Sequence, residues 1–186
     1  QTCALPICIN VHNLLTAEPR GRNPCLMDAL KRTGLAERTG RGIDRIFEGA
    51  LNYGRPLPDY SRSNRRGVSV LLPRSVPDKA FVELLAEERE RSGKSMSLDG
   101  LLILDKLKSE RRCGFDVLSG SLDMSDQRLR TVLGQLTEAG LVESAGVGAR
   151  RTYMLGAKVY RRSGRAMEYV RQSDIDRVRY PELIIE

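Results

Sequence analysis

The sequence predicts an α+β chain, and three observations carry that expectation. From Arg22 to Gly54 the pattern is helix, glycine-rich turn, helix. From Gly67 to Leu72, Val68, Val70 and Leu72 alternate with smaller neighbours, the period of a strand. From Ser97 to Tyr160, three helical stretches precede a β-hairpin.

The first helix follows from its ends. Asn23 is a good N-cap, and Pro24 takes the first helical position, where a missing N–H costs nothing. Leu26, Met27 and Leu30 form an apolar stripe, with Asp28, Lys31 and Arg32 outside it. Gly34 stops the helix, because glycine just past the end adopts the left-handed conformation without steric cost. After Glu37, Arg38, Thr39, Gly40, Arg41 and Gly42 comes a second helix, with Ile43, Ile46, Phe47, Ala50 and Leu51 on one face. Gly54 ends it and Pro56 prevents its return. A loop made basic by Arg62, Arg65 and Arg66 then leads to the expected strand.

Pro77 to Arg91 reads as a connecting helix with a short apolar face of Phe81, Leu84 and Leu85, closed by Gly93. Its run Glu87-Glu88-Arg89-Glu90-Arg91 is expected to be a solvated face laced with helical ion pairs. The third section is the most regular. Ser97 caps a helix in which Leu98, Leu101, Leu104 and Leu107 recur, with Arg111 and Arg112 complementing the dipole at its end. A short helix follows around Phe115 to Leu118. Ser125 caps a third, whose Leu129, Val132, Leu133 and Leu136 are spaced i, i+3, i+4, i+7. Gly140 ends it, and Leu141–Ser144 and Thr152–Leu155 form two strands around a Gly-Val-Gly turn. Three helices and then a hairpin is the winged-helix order.

Residues 1–8 stand apart. The opening QTCALPI reads like a translated sequencing-library adapter, so this segment is expected to be an assembly artefact, and the chain to be a fragment cut at one or both ends. The expected organisation assigns 9–75 to the C-terminal part of an α/β module, 76–96 to the connecting helix and 97–160 to the winged helix. Residues 161–186 are then a basic helical connector leading towards a further domain.

Composition narrows the function classes. The 186 residues, 40% hydrophobic, suffice for one ordinary domain or two small ones. Three Phe, six Tyr and no Trp argue against a large aromatic-lined pocket or a base-stacking surface. No apolar run approaches membrane-spanning length, so no membrane partner and a cytoplasmic location are expected. The four cysteines form no C-x-x-C, and His12 is the one histidine, so neither a zinc site nor a disulfide framework is expected. A net charge of +7 favours a polyanionic partner.

The charge is placed where a duplex would want it. In a helix-turn-helix the second helix enters the major groove N-terminal end first. Here that helix begins at Ser125, and the face opposite its leucines shows Gln127, Arg128, Arg130, Thr131 and Gln135. Arginine pairs bidentately with guanine and glutamine with adenine, while Ser125 and the first-turn N–H groups suit a phosphate. The hairpin adds Arg150 and Arg151 near its tip. From Leu141 to Gln172 the net charge is +5, the footprint expected of a phosphate-binding face. Double-stranded DNA is therefore the expected partner and transcription regulation the expected role. Winged helices also serve as protein-docking or dimerisation modules, so a homodimer stays open as an alternative.

Asn23-Pro24, Leu30, Gly34-Leu35, Glu37, Gly40-Arg41-Gly42-Ile43, the stop at Gly54 and Leu71-Leu72-Pro73 together resemble the RecG-like C-terminal domain of Schlafen/AlbA-type transcriptional regulators. The resemblance covers about residues 13–73. It implies a partial GHKL-like α/β module, with an AlbA-type DNA-binding domain upstream and winged helices downstream. It also implies that Gly40, Arg41 and Gly42 are nucleotide-binding candidates, matching a glycine box beside the lid of that fold, with Ile43–Tyr53 as the helix behind it. The first glycine box, and the helix supplying magnesium and catalytic residues, would fall before Ile9. Asp44 replaces a third glycine and would repel a phosphate. The resemblance therefore implies no catalytic residue and no cofactor in this fragment, with ATP and magnesium confined to a full-length parent. An ATP-binding, helicase-associated module is the alternative reading, although no helicase motor motif is visible.

Overall fold

The computed structural model describes residues 9–18, 21, 23–36, 40–64 and 67–163. They divide into two units, 1–77 and 78–186, each described here by itself. The chain is α+β: seven α-helices and one three-stranded antiparallel sheet occur among the described residues.

Unit 1 contains helix α1 (Pro24–Arg32) and helix α2 (Arg41–Asn52), preceded by a single 3₁₀ turn at Val11–Asn13. The Asn23 side chain accepts a hydrogen bond from the Leu26 amide at 3.1 Å, which holds the start of α1. Gly34, in the left-handed conformation, releases the chain, and Leu35 N–H returns to the Leu30 carbonyl at 2.9 Å. Helix α2 begins at Gly40, also left-handed, with no side-chain cap. Burial here is sparse. Leu51, Pro58 and Tyr60 are the buried apolar side chains of unit 1 among the described residues. Phe47 stacks on Tyr60 with ring centroids 6.2 Å apart.

The strand expected over Gly67–Leu72 does not form. Only isolated pairings occur, Asp59 with Leu71 and Asn64 with Gly67, while Val68, Val70 and Leu72 stay exposed. Alternation alone cannot make a strand. Its backbone groups need a partner ladder, and here Leu71 exchanges hydrogen bonds with Asp59 at one position.

Unit 2 comprises α3 (Lys79–Ser92), α4 (Leu98–Glu110), β1 (Arg112–Gly114), α5 (Phe115–Leu122), α6 (Asp126–Glu138), β2 (Val142–Ala145), β3 (Thr152–Leu155) and α7 (Ala157–Arg162). The sheet order is β1-β3-β2, with Cys113 opposite Tyr153 and Val142 opposite Leu155. The core is the α4 stripe of Leu101, Ile103, Leu104 and Leu107, closed by Leu118, Leu129, Leu133, Leu136 and Leu141. Ser97 accepts from the Gly100 amide at 3.2 Å and Ser125 from the Arg128 amide at 3.4 Å, as capping serines do.

Two features of unit 2 depart from the linear reading. The helix expected to connect two sections packs into this unit through α7, burying Phe81, Leu84 and Leu85. Glu88, in its charged run, is only 5% exposed rather than solvated. The chain also makes a tight return after β3. Gly156 N–H donates to the Leu141 carbonyl at 2.8 Å, and a Cβ at Gly156 would fall 2.3 Å from the Gly140 carbonyl oxygen. Only glycine permits that approach, which seats β3 against the end of α6.

Candidate nucleic-acid interface

The site is built on three packed helices and a hairpin. Helices α4, α5 and α6 touch one another, and β2 lies against α6. Asp123, left-handed, ends α5, and Met124 drops into the core, so a short turn delivers the chain to the Ser125 cap. Ser119 ties this turn down by donating to the Met124 carbonyl at 3.0 Å. The apolar side of α6 is buried at Leu129, Val132, Leu133 and Leu136. The geometry of a 3.6-residue helix then forces the other side outward.

All six candidates at or on α6 lie on the exposed side: Ser125, Gln127, Arg128, Arg130, Thr131 and Gln135. Their partners differ. Arg128 lays its guanidinium on the Asp99 carboxylate of α4, with Nη2 donating to Oδ1 at 2.8 Å and Nε to Oδ2. Its charge is thus answered within the protein. The Arg130 guanidinium sits 4.4 Å from the centroid of the Phe115 ring, a cation–π contact that orients it without neutralising it. The Thr131 hydroxyl donates back to the Gln127 carbonyl at 3.0 Å. Gln135 lies about 12 Å along the helix from Gln127, at 1.5 Å per residue. It lines a groove with Met96 and Leu136 rather than joining the leading end.

The hairpin presents Arg150 and Arg151, both exposed, beside a 3₁₀ turn at Gly148–Arg150. Gly146 enables the turn. It has φ 83°, and a Cβ there would meet the Arg150 carbonyl oxygen at 2.7 Å. Val147 is 82% exposed at the same tip.

The basic run after the hairpin works differently from its charge count. Lys158 donates to the buried Glu88 carboxylate and Arg162 pairs with Glu87, so both fasten α7 to α3. Burial would push the Glu88 carboxyl up. Hydrogen bonds from Lys158 and Arg91 outweigh that and hold it below the ordinary glutamate range. Arg165 and Arg171 lie outside the described residues. On α6, at the hairpin tip and on α7, Arg130, Arg150, Arg151 and Arg161 are exposed and have no ion-pair partner among the described residues. Asp99 and Phe115 organise this face, although neither belongs to α6 or to the hairpin. The Arg128–Asp99 pair spans 29 residues, and no local periodicity encodes it.

The glycine candidates in unit 1 are placed as follows. Gly40 caps α2, Arg41 and Gly42 open its first turn, and Asp44 follows in that turn. A Cβ at Gly42 would meet nothing within 4 Å, so no described neighbour requires glycine there. Glu37, Arg38 and Thr39 lie outside the described residues. Among the described residues no group of three or more His, Cys, Asp or Glu could hold a metal ion. No described helix is long and apolar enough to cross a membrane.

Comparison with known proteins bears on both units. Residues 4–72 match the model of a family described as "Putative ATP-dependent DNA helicase recG C-terminal". That supports a RecG-like C-terminal, GHKL-like domain in this segment, and the match reaches into the segment that reads as adapter. No curated protein matches the chain significantly. Among solved structures, the DIP2311 protein of Corynebacterium diphtheriae superposes with a TM-score of 0.67 at 22% identity. The alignment covers 87% of this chain and 34% of that one, so this chain spans about a third of its neighbour's length. At that identity the likeness concerns the fold alone.

Proposed function

We propose that unit 2 is a winged helix that binds duplex DNA, within a transcription regulator whose first unit is a degenerate, nucleotide-binding-like module. The observation that carries this reading is the exposed polar face of α6 beside a hairpin tip bearing Arg150 and Arg151. Helix order supports it, since α4, α5 and α6 followed by an antiparallel hairpin supply a groove-reading helix and a wing. In this reading Gln127, Arg130 and Thr131 meet base edges and Ser125 faces a phosphate. Arg150 and Arg151 lie on the backbone, and Arg128 is held in register by Asp99. No cofactor is needed by this segment. A homodimer would place two such faces on a two-fold site.

A gel-shift series on the whole chain at rising salt tests this. Binding should fall steeply with salt, with a log–log slope of about −0.9 per phosphate contact. Arg150→Ala plus Arg151→Ala should reduce that slope by about 2, whereas Arg130→Ala should weaken binding more on some sequences than on others. No shift at low salt, or a shift indifferent to all three substitutions, would sink the reading.

The family match favours a second reading, an ATP-binding, helicase-associated module with ATP and magnesium at Gly40, Arg41 and Gly42. Calorimetric titration of the whole chain with Mg-ATP distinguishes the two. Heat that disappears in a Gly40→Val variant supports the second reading, and no heat removes it.

A further inference from the structure

Unit 2 holds a partly enclosed cleft of about 200 Å³ whose lining includes no residue of α6 or of the hairpin tip. One side of it is apolar, made by Phe81 and Leu84 from α3, Leu155 from the end of β3, and Val159 from α7, while Tyr160 and Ser163 add hydroxyl groups to the lining. The four apolar residues are buried. Two cations and one carboxylate share the lining: Lys108, Arg111 and Asp78. Asp78 is spent twice over. One oxygen caps α3 by accepting from the Phe81 amide at 3.1 Å, and the other pairs with Lys108 at 2.8 Å. Lys108 is further held 5.1 Å over the Phe81 ring. Arg111 has no ion-pair partner among the described residues, so the cleft carries one uncompensated positive charge. Its backbone is strained as well, with φ 64° and ψ −43°, a region an L-residue occupies only where its surroundings impose it.

We propose that this cleft binds a small aromatic monocarboxylate, its ring against Phe81, Leu84, Leu155 and Val159 and its carboxylate on Arg111. The charge selects a monoanion. The apolar side selects a flat hydrocarbon body over a bare phosphate, whose hydration shell would leave Phe81, Leu84, Leu155 and Val159 facing water. The volume, below the usual range for drug-sized ligands, selects a single ring. Arginine's planar fork matches the two oxygens of a carboxylate. The inference stands independently of the DNA reading.

Titration of the whole chain with benzoate, followed by amide resonance shifts and calorimetry, tests it. Benzoate should shift Leu84, Arg111, Leu155 and Val159 saturably, and benzamide or inorganic phosphate should bind at least tenfold more weakly. Arg111→Gly removes the cation while relieving the positive φ, so its unfolding temperature should stay level or rise while benzoate affinity drops at least tenfold. Equal binding of benzamide would overturn the proposal. So would unchanged benzoate affinity in a folded Arg111→Gly variant, or no saturable shift at those four positions.

Discussion

Units 1 and 2 are built from similar residues and reach different degrees of closure. In unit 2 the α4 stripe is entirely excluded from water, with Leu101, Ile103, Leu104 and Leu107 at 0% exposure. In unit 1 no side chain of α1 is buried, Leu35 is 78% exposed and Leu72 68%. Both units have capped helices and amphipathic faces. The difference teaches that caps and periodicity specify elements, whereas stability comes from faces that find one another. Unit 1 is held chiefly by local devices: the Asn23 cap, the Leu35–Leu30 return, the Phe47–Tyr60 stack and the Asp59–Ser61 turn, where the Ser61 amide donates to Asp59 at 2.7 Å. Unit 2 is held by leucines brought together from distant segments.

The sharpest way to break this comparison is a pair of truncations. Leu104→Ala should cost unit 2 about 2–5 kcal/mol, because it leaves a cavity in a close-packed core. Leu35→Ala should change unit 1 by no more than about 0.5 kcal/mol. Urea unfolding followed by hydrogen exchange on α4 and α2 reads both. Comparable losses at the two sites would mean that unit 1 has a closed core of its own.

A smaller effect is expected at Glu88. Glu88→Gln should lower unit 2 stability at pH 7 by about 1–3 kcal/mol, the range for a hydrogen bond to a charged group. The sign with pH is determined. A carboxyl held below its ordinary value contributes stability above that value and loses it as pH falls through the lowered one. Wild type and variant should therefore converge in acid, as measured by unfolding temperature from pH 7 to pH 3. Asp105 runs the other way. Burial raises its carboxyl, partly offset by Lys108, so ionising it costs folding energy. Asp105→Asn should raise the unfolding temperature at neutral pH, with the gain vanishing below the ordinary aspartate value of 3.8.

The smallest effect sharpens the reading of unit 1. Gly42→Ala meets no neighbour and should stabilise α2 by about 0.4–1 kcal/mol, seen as slower exchange of its amides. Destabilisation would show that Gly42 is held by a contact beyond the described residues.

Much of the fold was legible because its determinants are local. Asn23, Ser97 and Ser125 cap where their side chains predict, and β3 spans the expected Thr152–Leu155. The exposed face of α6 followed directly from its buried one. Strand β1 was not legible. Three residues carry no alternation to read, and Arg112–Gly114 is extended because β3 offers it an edge. The strand expected at Gly67–Leu72 failed for the converse reason, an alternating pattern without a ladder. The charge count after the hairpin misled because composition does not reveal that Lys158 and Arg162 face Glu88 and Glu87 some 70 residues away.

The sequence by itself determined α1, α2, α4 and α6 with their caps, the hairpin and which side of α6 meets water, because caps, glycines and 3.6-residue periodicity act within a few residues. It did not determine α7, which follows β3 directly. Tertiary structure alone decided that α3 belongs to unit 2, that Arg128 is answered by Asp99 while Arg130 is not neutralised, and that Arg111 meets an apolar cleft. Those outcomes depend on which distant faces exclude water from one another, and the free energy of that exclusion has no signature in local spacing.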